Sequence, residues 1–229
     1  MTKFTSAFAW LGGALFVGSL MFTAYALAVP WAQPRPLSAS WLAAVGANAC
    51  LLTMFALHHS LFSREAAKKA MGRLVAAHQI RPIYVWVASL LLIAVIWSWW
   101  PIGGQLYRVQ GLAAWPLRLV QAAGVVLIAR SVRAIDALEL AGIRQPRQGA
   151  TLTATGPYGL VRHPLYLGWI LIVFGMPHMT GDRLVFAALT TVYLFVAMPW
   201  EERSLEQAFG EEYRRYRAQV RWRVLPYLY

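Results

Sequence analysis

The residues best suited to chemistry fall in two stretches of the last third of the chain. They are Gly156–Trp169 (GPYGLVRHPLYLGW) and Glu201–Tyr216 (EERSLEQAFGEEYRRY). The first gathers Tyr158, Arg162, His163 and Tyr166 around Pro164, whose fixed φ suits the first turn of a helix. The second supplies two adjacent carboxylates, Glu201 and Glu202. The residues between them are apolar except at Gly175–Arg183 (GMPHMTGDR), so a helical hairpin returns the carboxylates to the place where the first stretch enters the membrane. A guanidinium, an imidazole, phenols and carboxylates at one membrane boundary can hold a polar ligand and handle a proton. Helical phase divides the two acids. Glu201 shares a face with Leu205, Phe209, Tyr213 and Tyr216, whereas Glu202 points about 100° away.

Each of these groups also has a plain structural role when taken alone. Arg162 suits anionic lipid head groups, and His163 suits a helix cap. Glu201 and Glu202 suit the positive end of a helix that starts at Pro199. The tyrosines suit an interfacial belt. The joint occurrence of both stretches, closed by one hairpin, favours a site.

The elements that must position these residues are membrane helices. Apolar residues make up 59% of the 229-residue chain and charged residues 13%, against about 25% charged in a typical soluble domain. Mean hydropathy is +0.50. The apolar runs Ala7–Val29, Ala39–Phe62, Pro82–Trp100 and Trp115–Ile135 are each long enough to span a bilayer. The first resembles a signal peptide at Ala24, Tyr25 and Ala26, but it is too long and its n-region too weakly basic for one, so it is kept as a span. The net charge of +12 comes from Lys and Arg in the segments between spans, which is the positive-inside pattern rather than a nucleic-acid surface. Ser63–Arg81, Ser131–Arg162 and the tail Trp200–Tyr229 are basic and expected in the cytoplasm. The loops Pro30–Ser38 and Pro101–Ala114 hold one arginine each and are expected outside. Both termini then lie inside. Cys50 is the lone cysteine, so neither a disulfide framework nor a cysteine metal site is available, and no metal is expected.

The expected fold is therefore an all-α integral membrane protein: four long transmembrane helices, a C-terminal helical hairpin and a cytoplasmic amphipathic tail helix. It is read as one domain over 1–229, with 1–135 as housing and 150–226 as hairpin and tail.

Over its last third the chain resembles the isoprenylcysteine carboxyl methyltransferase superfamily of integral membrane methyltransferases. Gly156, Tyr158, Arg162, His163, Pro164, Tyr166 and Gly168 match one of its two long motifs. Glu201, Glu202, Leu205, Phe209, Gly210, Tyr213 and Tyr216 match the other. Earlier segments, HHSLFSR, RPIYVWVASLL and IDALELAGIRQ, resemble a bacterial branch that includes methanethiol S-methyltransferases and membrane proteins associated with nitrite and nitric oxide reduction. The resemblance implies S-adenosyl-L-methionine as methyl donor, bound on the cytoplasmic side of a bacterial inner membrane. Carried over by position, it implies cofactor contacts from Ala150, Thr151, Leu152, Thr153, Tyr158, His163, Pro164, Leu165, Tyr166 and Glu201. A neutral or lipophilic acceptor would enter from the bilayer.

One departure bears on the acceptor. Prenylcysteine enzymes of the superfamily place an arginine, which binds the substrate carboxylate, four residues before the first paired glutamate. Here that position is Ala197. An unpaired buried carboxylate is costly, so the departure favours a small or lipophilic thiol over a prenylcysteine-type carboxyl group. A thiol is mostly protonated at neutral pH, and His163, Arg162, His58 and His59 are the candidates for catalytic roles. The competing readings are a carboxyl O-methyltransferase, a membrane reductase, and a non-enzymatic protein associated with nitrite or nitric oxide reduction.

Overall fold

The computed structural model describes residues 3–62, 65–144 and 152–229. The expected contacts Ala150 and Thr151 lie outside the described residues. The described chain is mostly helical. In order it runs α1 (Lys3–Ala28), α2 (Trp41–Phe62), α3 (Glu65–Met71), α4 (Ala77–Trp97), β1 (Gln105–Arg108), α5 (Trp115–Ala134), α6 (Ala137–Leu140), α7 (Pro164–Phe174), β2 (His178–Thr180), α8 (Gly181–Phe209) and α9 (Glu211–Gln219). Five of these, α1, α2, α4, α5 and α8, are long and apolar enough to cross a membrane, which makes the chain an integral membrane protein. Their outer faces expose Leu11, Met21, Leu42, Met54, Leu90 and Val192, side chains suited to lipid rather than water.

The backbone forms two compact units. One holds 1–105, 137–147 and 180–182; the other holds 106–136, 148–179 and 183–229. In the first, α4 packs on both α1 and α2. Trp86 of α4 stacks on Phe8 and donates its indole N–H to the Phe8 carbonyl at 3.0 Å. The Asn48 side chain exchanges two 2.9 Å hydrogen bonds with the main chain of Trp100. Asp182 is buried and accepts from the Trp99 indole (2.9 Å), Ile102 N–H (2.9 Å) and Gly103 N–H (3.1 Å), which ties down the turn after α4.

The second unit is built on α5 against α7. These helices touch backbone to backbone because each presents a glycine. A Cβ on Gly124 would stand 2.6 Å from the carbonyl oxygen of Gly168, and one on Gly168 would stand 2.6 Å from Ile128. Small residues at such a crossing allow the close approach that membrane helix pairs rely on. Gln121 of α5 donates to the Ile172 carbonyl of α7 at 3.1 Å, and Trp169 of α7 donates to Thr190 of α8 at 3.0 Å.

Several details depart from the sequence expectation. Helix α4 begins at Ala77 rather than Pro82. A proline in the second turn removes a single i→i−4 bond, which does not stop a helix with packed neighbours. For the same reason Pro199 does not start a tail helix. Instead it lies inside α8, which runs 29 residues from the hairpin turn to Phe209. The hairpin limbs are thus unequal. Helix α7 has 11 residues, about 16 Å at helical rise, and does not cross the ~30 Å hydrocarbon core alone. The amphipathic tail is broken at Gly210, whose φ of 53 lies in the left-handed region that glycine tolerates. Arg214 and Arg217 of α9 reach back over this break to Glu206, at 3.0 and 3.5 Å. The strands β1 and β2 pair as a short two-stranded ribbon, an addition to the all-helical expectation.

The glycine crossing makes a contrast testable. Gly124→Ala should destabilise the protein by roughly 1–3 kcal/mol, since the methyl meets backbone that cannot yield easily. Gly18→Ala in α1, where nothing lies within 4 Å of the added carbon, should be neutral or stabilising. Thermal unfolding of both variants in the same detergent checks this; equal melting temperatures would contradict the packing.

Candidate functional site

All the described members of the two chemistry-bearing stretches lie in the second unit. Pro164 opens α7, His163 occupies its N-cap, and Arg162 precedes it. The main chain here is held by the tail. Arg162 N–H donates to the Trp222 carbonyl at 2.9 Å, and His163 N–H donates to the Arg223 carbonyl at 2.8 Å. The Arg162 side chain is buried. Its Nε donates to Glu202 Oε1 at 2.7 Å, and its Nη1 donates to the carbonyls of Val220 (2.9 Å) and Arg221 (2.8 Å). Glu202 also receives His163 Nε2 at 3.3 Å on Oε1 and Arg223 Nε at 3.3 Å on Oε2. Arg162, His163 and Glu202 are therefore tied to one another and to the tail.

Glu201, one residue earlier on α8, faces a different environment. Its side chain keeps 47% of its surface exposed, against 6% for Glu202. It accepts a hydrogen bond from the Tyr166 hydroxyl, and His163 Nδ1 lies 3.7 Å away, an ion-pair rather than hydrogen-bond distance. The His163 ring stacks on Tyr166 with centroids 5.1 Å apart and planes 18° from parallel. Both imidazole nitrogens face carboxylates, so the ring orients the two acids and has no nitrogen aimed at open space. Tyr158 is half-buried in the short turn Gly156–Gly159. Burial, reinforced by the charge of Glu201, pushes its phenol up to about 12, so it stays a neutral donor at physiological pH.

The floor of the site is aromatic. Tyr213 and Tyr216 of α9 and Val220 form a buried cluster, against which Leu152, Ala154, Leu205 and Phe209 pack. Tyr216 donates to the Tyr158 carbonyl at 2.8 Å, which ties α9 to the Gly156–Gly159 turn. Tyr213 is fully buried, and its hydroxyl has no partner among the described residues. Burial, and secondarily the Glu202 charge, pushes its phenol up to about 12, so this orphan is an O–H donor. A half-exposed carboxylate, phenol faces and an unsatisfied buried hydroxyl in one unit suit a ligand that carries both a cation and hydroxyl groups.

Of the other residues singled out in the sequence, Pro164 is buried, while Leu152, Thr153 and Leu165 are half-buried in the same unit. His58 and His59 lie in the first unit, at the end of α2. His59 Nδ1 meets the Tyr84 hydroxyl at 2.7 Å, and His58 stacks on Tyr84 and makes a tilted ring contact with Phe62. Two features escaped sequence reasoning. Glu202, read there as the acid turned away from the site, is the anchor of a buried charge network. Arg223 and the carbonyls of Val220, Arg221 and Trp222 complete that network from an irregular tail. The density of Arg and aromatic residues after Tyr216 was the available signal.

Comparison with known proteins bears on the family of the chain. A family model described as phospholipid methyltransferase matches residues 118–212, the part of the chain that carries α5, α7, α8 and the start of α9. The methanethiol S-methyltransferase 2 of Bradyrhizobium diazoefficiens is 35% identical over 185 residues, covering 77% of this chain and 71% of that protein. The methanethiol S-methyltransferase of Crocosphaera subtropica is 37% identical over 179 residues, covering 74% and 70%. Nurim of Xenopus laevis is 33% identical over 167 residues, covering 66% and 58%. No solved structure matches the chain. With two such relatives aligned across most of their length, and with both long motifs in one structural unit, the chain belongs to the isoprenylcysteine carboxyl methyltransferase superfamily and is a membrane methyltransferase.

Proposed function

We propose that this methyltransferase uses S-adenosylmethionine and methylates a small or lipophilic thiol, with methanethiol the acceptor suggested by its relatives' names. The observation that carries the donor assignment is the split between the paired acids: Glu202 is consumed by Arg162, His163 and Arg223, and Glu201 is left half-exposed beside phenols. The bound donor would supply an electrophilic methyl group on a sulfonium. Glu201 would accept hydrogen bonds from its ammonium or ribose hydroxyls, and the faces of Tyr158 and Tyr166 would attract its positive charge. Thiolate sulfur would form the new S–CH3 bond as the sulfonium C–S bond breaks, giving a thioether and S-adenosylhomocysteine, with the thiol proton passing to solvent or a nearby base. Anion and cation neutralise each other in that transition state, so a site that excludes water and positions the thiol in line supplies much of the catalysis. His163, held between two carboxylates, serves this scheme by orienting Glu201 rather than by meeting the thiol.

The acceptor reading rests on Ala197. Because α8 is continuous through Pro199, Ala197 lies one turn before Glu201 on the same helix face. It brings no charge to a place where a carboxylate acceptor would need one. The site is assigned to the cytoplasmic side by the basic segments around it, and cysteine labelling at Gln33 and Gln105 from outside intact cells tests that orientation.

Two variants separate the acids. Glu201→Gln should fold like the wild type but lose about 10- to 150-fold in affinity for S-adenosylhomocysteine, as expected for one charge-assisted hydrogen bond. Glu202→Gln should lower thermal stability by about 3–5 kcal/mol, since it leaves Arg162 buried without its counter-charge. Calorimetric titration and thermal unfolding of each variant read the two effects; a donor affinity untouched by Glu201→Gln would remove Glu201 from the site.

For the acceptor, Ala197→Arg should depress thiol methylation by inserting a cation into an apolar approach. It should also raise binding of a prenylcysteine carboxylate, which arginine can grip with two hydrogen bonds. Turnover of both acceptors at saturating donor measures this. Wild-type methylation of prenylcysteine without any on thiols would replace the thiol reading with the carboxyl one.

A further inference from the structure

The first unit contains a cavity of about 540 Å³ unconnected with the methyl-transfer residues, lined by Arg35, Pro36, Ser38, Ser40, Ala44 and the segment from Trp99 to Gly103. It lies between the loop that leads into α2 and the turn that follows α4. The two segments are held together by their main chains: Ser38 N–H donates to the Ile102 carbonyl at 2.9 Å, and Gly104 N–H donates to the Arg35 carbonyl at 2.9 Å. Asp182 accepts from the Trp99 indole and from the N–H groups of Ile102 and Gly103, so its oxygens are engaged in fixing the turn.

The lining is chemically one-sided. Among the described residues, Arg35 is the only charged one in the lining, no carboxylate lines the cavity, and Arg35 forms no ion pair. Ser38 Oγ lies 3.1 Å from Ser40 Oγ and also accepts the Ser40 N–H at 3.3 Å. Whichever hydroxyl donates within this pair, one O–H hydrogen is left to point elsewhere. A guanidinium with a hydroxyl donor beside it matches the oxygens of a phosphate, which arginine binds with two parallel hydrogen bonds. The surroundings are those of a membrane interface. Trp41, Trp97 and Trp100 are exposed at the adjoining ends of α2 and α4, and indoles concentrate at the level of lipid head groups. Ala44, Ile102 and Pro101 give the cavity an apolar side.

We propose that this cavity is a binding site for an anionic phospholipid, with the phosphodiester on Arg35 and the Ser38–Ser40 pair and the acyl chains along the apolar side. It is a site on the first unit, separate in its residues from the donor site, and it does not depend on the thiol reading.

The test is native mass spectrometry of the detergent-purified full chain, titrated with phosphatidylglycerol or with phosphatidylcholine. The wild type should retain phosphatidylglycerol in preference to phosphatidylcholine. Arg35→Gln should weaken that retention about tenfold, as for loss of one charge-assisted contact. The substitution keeps the main-chain bond from Gly104, so an unchanged melting temperature is expected. Ser40→Ala should weaken retention severalfold and serves as the second variant should Arg35→Gln fold poorly. Millimolar inorganic phosphate should not displace the lipid. Equal retention of both lipids, or wild-type retention by both variants, would overturn the proposal. Displacement by inorganic phosphate would overturn the lipid as ligand and leave a free-anion site.

Discussion

The buried guanidinium of Arg162 is the constraint on which the second unit depends. Taking such a charge out of water costs several kcal/mol unless a counter-ion and full hydrogen bonding compensate it. Glu202 supplies the charge through Nε, and the carbonyls of Val220 and Arg221 both accept from Nη1. To do this the irregular tail must come back over the start of α7, where it also takes up the N–H groups of Arg162 and His163. A helix N-terminus normally leaves its first N–H groups and its cap to be satisfied locally. Here a distant segment reinforces that end of α7. Entry of α7, exit of α8 and closure of the tail are consequences of one ion pair and its hydrogen bonds.

That commitment explains why two adjacent acids do different things. Consecutive helical positions differ by about 100°, so only one of the pair can face Arg162. Once Glu202 takes that direction, Glu201 projects beside Tyr166 and keeps its side chain half-exposed. The His163 ring lies between them, with one nitrogen toward each acid. The arrangement holds Glu201 through the Tyr166 hydroxyl, with His163 Nδ1 3.7 Å away, and leaves its side chain half-exposed. Helix α8 carries this order back into the hydrocarbon region, because Pro199 interrupts one hydrogen bond without ending the helix.

Much of this was legible in the sequence, for a definite reason. The apolar runs and the differing directions of Glu201 and Glu202 follow from period and length, which a sequence displays directly. Pro199 and Pro82 misled because proline is a local signal, and whether it stops a helix depends on the packing around it. The role of Glu202 is hidden because its network draws on Arg223 and on two backbone carbonyls that accept from Arg162, all from a segment without periodicity. Carbonyls carry no sequence identity at all. The glycine contact between Gly124 and Gly168 was hidden for a related reason: Gly168 stood out as a motif residue, but its partner on α5 is only one glycine among 17.

The central claim is that the unit organised by Arg162 and Glu202 holds a methyl donor. Calorimetric titration of the purified wild-type protein with S-adenosylhomocysteine, and separately with NADPH, addresses it most directly. The account predicts saturable binding of S-adenosylhomocysteine at one site per chain and none of NADPH; binding of NADPH without S-adenosylhomocysteine would contradict it.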